Sequence, residues 1–76
     1  MWQKIKVGQI YEDEDGWKLC ITLCSPVDIY AIYHQGSMSH WNKKEDFLLN
    51  KKLLTEYPSW QESVNSKEFN NVEIHN

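Results

Sequence analysis

Alternation of apolar and polar positions is strictest over residues 17–24, where Trp17, Leu19, Ile21 and Leu23 fall on one face and Lys18, Cys20, Thr22 and Cys24 on the other. Successive side chains of a strand point to opposite faces, so this stretch predicts a half-buried β-strand. Residues 27–34 repeat the pattern, with Val27, Ile29, Ala31 and Tyr33 opposite Asp28, Tyr30, Ile32 and His34. Ser25-Pro26 separates the two runs, because proline cannot donate to a strand ladder. Upstream, residues 3–11 place Ile5 and Val7 on one face, and Gly8 marks a bend or bulge before Gln9-Ile10-Tyr11. The run Glu12-Asp13-Glu14-Asp15-Gly16 then reads as an acidic hairpin loop, with Asp15-Gly16 supplying the positive-φ chemistry of a tight turn.

The second half is written in shorter segments. Gln35-Gly36 predicts another turn, followed by a short strand over residues 37–41. Asn42-Lys43-Lys44-Glu45 matches a capping box, with Asn42 bonding forward and Glu45 reaching back, and Phe47-Leu48-Leu49 completes a single helical turn. Residues 52–57 form a fifth strand, stopped by Pro58, whose ring biases Tyr57 toward an extended backbone. A second capping box, Ser59-Trp60-Gln61-Glu62, opens a short helix from Trp60 to about Lys67 that lays Trp60 and Val64 on the barrel these strands are expected to form. Val72-Glu73-Ile74 could add an edge strand.

Length limits what these elements build. A chain of 76 residues with 41% hydrophobic and 13% aromatic content forms one domain, and its core is thin. Four Trp, four Tyr and two Phe compensate, because each ring removes roughly 150–250 Å² from water. Five short strands around one helical turn describe a small, bent barrel, in which the sheet closes to hide its edges. The fold class expected is therefore mainly β: a small β-barrel over residues 1–57, with residues 58–76 as a short C-terminal helix and tail packed on the same domain.

Charge excludes several functions. The chain holds 8 basic residues, all lysine, against 11 acidic ones, for a net charge of -3. Duplex-binding domains are normally basic, and without Arg no bidentate guanine contact or forked phosphate clamp forms. The start lacks the apolar core of a signal peptide, and no apolar run nears the ~18 residues that span a bilayer, so the expected location is cytoplasmic. Cys20 and Cys24 lie about 13 Å apart on an extended strand, beyond disulfide reach, and read as free thiols.

With these residues in view, a resemblance can be named. Val7-Gly8-Gln9-Ile10-Tyr11, the acidic turn, Trp17 at the start of the second strand and Phe47-Leu48-Leu49 before the last look like small SH3-like barrel proteins, in the style of those encoded by phages and prophages of low-GC Gram-positive bacteria. The resemblance covers about residues 3 to 57 and carries over no catalytic residue. It implies a role in modulating a host protein, including a defence protein, by occupying its surface.

Candidate chemistry is sparse. Cys20, Cys24, His34 and His40 are spaced almost as in a zinc finger, yet finger cysteines flank a tight turn whereas these two share a strand, so no metal is expected. No cofactor is expected either. Asp28, His34 and Cys24 are the only nucleophile-and-base set close in sequence, and a domain this small offers little pocket, so the chain reads as a non-enzyme. The strongest hint is the number of rings. With Trp17 and Tyr33 packed inside, Tyr30, His34, His40 and Trp41 face outward as anchors for a protein partner. Glu12, Asp13, Glu14 and Asp15 form either a solvated loop or an anionic knob that steers the encounter. The alternative partner is single-stranded nucleic acid, with the same rings as stacking platforms and Lys43, Lys44, Lys51 and Lys52 as a phosphate track.

Overall fold

The computed structural model describes residues 4–70. The Val72–Ile74 edge strand lies outside the described residues. Five strands appear in the expected order: β1 (Gln9–Asp13), β2 (Lys18–Cys24), β3 (Ile29–Tyr33), β4 (Met38–Trp41) and β5 (Lys51–Glu56). One-turn helix α1 (Lys44–Leu48) precedes β5, and α2 (Trp60–Val64) and α3 (Lys67–Asn70) follow it. All pairings are antiparallel, in the order β4-β3-β2-β1-β5. Among the described residues the sheet is open, with β4 and β5 as its edges, and does not close into the barrel expected from the sequence. Helix α1 packs against both edge strands on one face.

Boundaries differ from expectation where a turn competes with the ladder. The first strand begins at Gln9, because Gln9 donates its backbone N–H to Lys6 and closes a turn over Val7-Gly8. Gly8 adopts a φ of 96° there, and a Cβ would lie 2.3 Å from the Tyr57 carbonyl oxygen, so no side chain fits. The acidic run is not all loop: Glu12 and Asp13 belong to β1. The Asp13 carboxylate accepts from the backbone of Asp15 and Trp17 at 2.9 and 3.0 Å, which leaves Glu14-Asp15-Gly16 as the tip. Helix α1 starts one residue late, after an extended Lys43, with no side-chain cap from Asn42. The C-terminal helix breaks at Asn65-Ser66, where the Ser66 hydroxyl accepts from the Phe69 N–H and starts α3. The Ser59 cap of α2 is present, accepting from Glu62 N–H at 3.2 Å.

The largest difference is a bulge in β2. Ile21 pairs with Ala31 and Leu23 pairs with Tyr30, so Thr22 is an extra residue. From Leu23 onward every side chain changes face. Leu23 leaves the core face and joins Tyr30, while Cys24 crosses to the opposite side and packs with Ile29. A matching irregularity in β5 leaves Leu54 between Leu53, which faces Tyr11, and Thr55, which faces Ile10.

Both faces of the sheet carry a core. On the first, Tyr11, Leu19, Ile21, Ile29 and Ala31 pack with Ile5 and with Phe47 of α1, bordered by Tyr33, Trp41 and Leu53. Phe47 is fully buried, meeting Tyr11 and Trp41 edge to face at centroid distances of 4.9 Å. On the second face Ile10 and Cys20 pack beneath Phe69 of α3, with Ile32, Leu54, Tyr57 and Val64 around them. Trp17 was expected inside; it is instead exposed, one residue before β2, and stacks on His34.

Candidate functional site: an apolar groove beside a histidine–tyrosine stack

Among the described residues the second face is covered only where α2 and α3 lie over β1 and β2. Beyond them the sheet opens into a hollow of about 560 Å³ lined by Thr22, Leu23, Tyr30, Ile32, Met38 and Trp60. The bulge supplies Leu23, the hairpin register places Met38 opposite Ile32, and the Ser59 cap fixes the turn that carries Trp60. Four of these side chains are well exposed: Met38 at 64%, Leu23 at 49%, and Tyr30 and Trp60 at 37% each. Isolated exposed apolar residues are ordinary, but a contiguous group with two aromatic rings has the make-up of a binding surface.

One rim of the groove is polar. His40, opposite Tyr30 in the β3–β4 ladder, stacks on it at 4.4 Å between centroids and 16° between planes. The same imidazole bonds through Nε2 to the Asp28 carboxylate at 2.6 Å. Tyr30, His40 and Asp28 thus hold one another in place, and the ring pair presents a flat edge beside the hollow. Asp28 belongs to a turn whose backbone is itself tied down, since the Ser25 hydroxyl accepts from its N–H at 3.0 Å.

The structure brings together only some of the residues expected to bind. Tyr30 and His40 share the groove rim. Trp41 does not face outward: it lies on the opposite side of the sheet, half-buried against Phe47. His34 is half-buried beneath Trp17, with Nδ1 3.3 Å from both the N and the O of Lys18, and is a packing residue. The acidic run does not form one knob. Register places Glu12 opposite Lys18 and Lys52, and Asp13 opposite Lys51, so Glu14 and Asp15 alone make the exposed anionic tip.

The lysines are dispersed in the same way. Lys51 reaches over the rings of Trp41 and Phe47 at 5.1 and 5.4 Å, and burial lowers its pKa while Asp13 and Glu14 oppose the shift. Lys43 and Lys44 sit at the start of α1, away from the groove. Burial also raises the Tyr33 phenol, with the Asp13 charge adding to it. Among the described residues no group of three His, Cys, Asp or Glu side chains could hold a metal ion. Cys20 is buried and Cys24 half-buried, both as free thiols, and the bulge sends them to opposite faces. Burial pushes the Cys20 thiol above its ordinary range, with Ser63 offsetting part of the shift, so Cys20 is a poor nucleophile. No helix among the described residues is long and apolar enough to cross a membrane.

Leu23, Met38, Ile32 and Trp60 were not identified as site residues from sequence. Met38 was legible in principle, because the hairpin pairing of residues 29–33 with 38–41 puts it beside Ile32. Leu23 was not, because its orientation depends on the bulge. No family model, curated protein or solved structure matches the chain.

Proposed function

We propose that the chain is a non-enzymatic protein-binding module that uses the groove of Leu23, Tyr30, Ile32, Met38 and Trp60, with His40 and Asp28 as its polar rim. The observation that carries this reading is the exposure of four large apolar side chains around one hollow, at a point where α2 and α3 stop short of covering the sheet. Aromatic residues held rigid by stacking are efficient anchors, since little conformational freedom is lost on binding. The support for an SH3-like topology is the strand order, with β1 between β2 and β5, in a described sheet that stays open. If the likeness to phage and prophage proteins holds, the partner is a host protein, including a defence protein, whose working surface is blocked by occlusion.

Single-stranded nucleic acid ranks second. Its supporting features are the exposed rings and the lysines, but these occupy different parts of the surface. Lys51 and Lys52 lie opposite Asp13 and Glu12, and Lys51 is drawn over the rings of the first face. A pull-down from a low-GC Gram-positive lysate, with and without nuclease, separates the two readings. The protein-binding reading expects a protein retained in near-equal amount after nuclease and lost when Tyr30→Ala and Trp60→Ala are combined in a folded variant. Retention unchanged by that double substitution removes the groove from the proposal, and material that disappears with nuclease promotes the nucleic-acid reading.

A further inference from the structure

The two edges of the sheet are built differently. β5 carries Lys51 and Lys52 and an irregular register, devices that keep a sheet edge from pairing with other strands. β4 has none of them. Its four residues, Met38-Ser39-His40-Trp41, contain no lysine and no proline, and its ladder with β3 is regular.

The phase of that ladder shows which backbone groups are left over. Tyr33 donates its N–H to the Ser37 carbonyl at 2.7 Å, so Ser37 faces β3, and by alternation Ser39 and Trp41 do too. The N–H and C=O groups of Met38 and His40 therefore point away from the sheet. Their side chains lie on the groove face, where Met38 is the more exposed.

We propose that β4 pairs with β4 of a second copy of this chain, antiparallel about Ser39. In that register Met38 faces the second copy's His40, and each pair exchanges both backbone hydrogen bonds, which satisfies the groups left outward on both strands. The Met38 thioether meets the edge of an imidazole already held by Tyr30 and Asp28, a favourable sulfur–aromatic contact. The two sheets become one continuous sheet, and the two grooves lie on the same face of it.

Charge selects a second copy over an unrelated strand. Lys43, still extended before α1, is the first charge after β4; Lys44, Glu45 and Asp46 come after it in the first turn of the helix. At the other end of β4 lies the β3–β4 turn, next to the β1–β2 turn because His34 donates to the Lys18 carbonyl. That neighbouring turn carries the exposed Glu14 and Asp15. An antiparallel pairing brings Lys43 of each copy toward the acidic tip of the other, twice by symmetry. A partner strand needs a basic residue directly after it to match, and this chain has one in Lys43. The interface is small, and such contacts are weak and reversible.

This inference stands apart from the partner-binding reading, and sedimentation equilibrium of the whole chain from micromolar to millimolar concentration tests it. The expected result is a mass that rises from monomer to dimer with concentration, with added salt weakening the association. Met38→Pro removes an outward N–H without touching the bonds to β3, and should raise the dimer dissociation constant at least tenfold. Met38→Lys, which keeps the backbone intact, should do the same and serves if the proline variant does not fold. Lys43→Glu should weaken the dimer, and combining it with Glu14→Lys should restore it. A monomer at every concentration, or a dimer indifferent to both Met38 substitutions, overturns the proposal.

Discussion

The two faces of the sheet are furnished with the same kinds of residue and finish in different states. On the first, one helical turn suffices: Phe47 descends into a ring of Tyr11, Trp41 and aliphatic neighbours, and α1 touches both edge strands, so the apolar surface is sealed from edge to edge. On the second, two short helices cover only the β1–β2 side, where Phe69 closes over Ile10 and Cys20. Among the described residues the rest, from Leu23 across Tyr30 to Met38, stays open. A single well-placed ring at the centre of a curved sheet thus hides more than two helices laid at its side, and the uncovered remainder is what a partner can use.

Several substitutions sharpen this contrast. Phe47→Ala should have the largest effect, a loss of about 3–5 kcal/mol in denaturant unfolding, because the cavity opens where the surroundings are most fully packed. Phe69→Ala should fall at the lower end, about 3 kcal/mol, since the second cluster is smaller and nearer solvent. Equal losses at the two positions would show that the faces are equivalent in energy despite their different covering. Removing the cap with Ser59→Ala should cost about 1 kcal/mol, measured the same way, by loosening α2 and the turn that carries Trp60. The smallest change in stability belongs to Leu23→Ser, about 0.5 kcal/mol or less, because that side chain is half exposed. Partner capture by the folded Leu23→Ser protein should nonetheless fall, and capture at the parent level would detach the bulge from function.

Much of this fold was legible in the sequence, because the alternation of residues 17–24 and 27–34 is local and strong. The Ser59 cap and the single turn around Phe47 were legible for the same reason. The fates of Trp17, Trp41 and Leu23 were not. Trp17 falls one residue outside its strand, where a ladder no longer dictates its direction, and stacking on His34 decides where it rests. Trp41 ends a strand whose outer face remained ambiguous until Phe47 arrived to pack on it. Leu23 is turned by a bulge that exists only in the pairing of β2 with β3, which no property of residues 17–24 alone encodes. The acidic run was readable as charge but not as arrangement, because the lysines opposite Glu12 and Asp13 come from two other strands, β2 and β5. Of the candidate site, Tyr30 and His40 were foreseen, and the groove they border was not.

The bulge at Thr22 also equips the molecule with two internal reporters. By sending Cys20 and Cys24 to opposite faces, it leaves one thiol under the C-terminal helices and the other beside the first core. Alkylation at Cys20 requires α2 and α3 to lift away, and its raised pKa keeps the closed state unreactive, so its labelling rate gives the free energy of that local opening. Cys24 is only half-buried, so its labelling is less tightly gated and sets a reference rate. Run side by side on the unmodified chain, the ratio of the two rates isolates the opening of the second face.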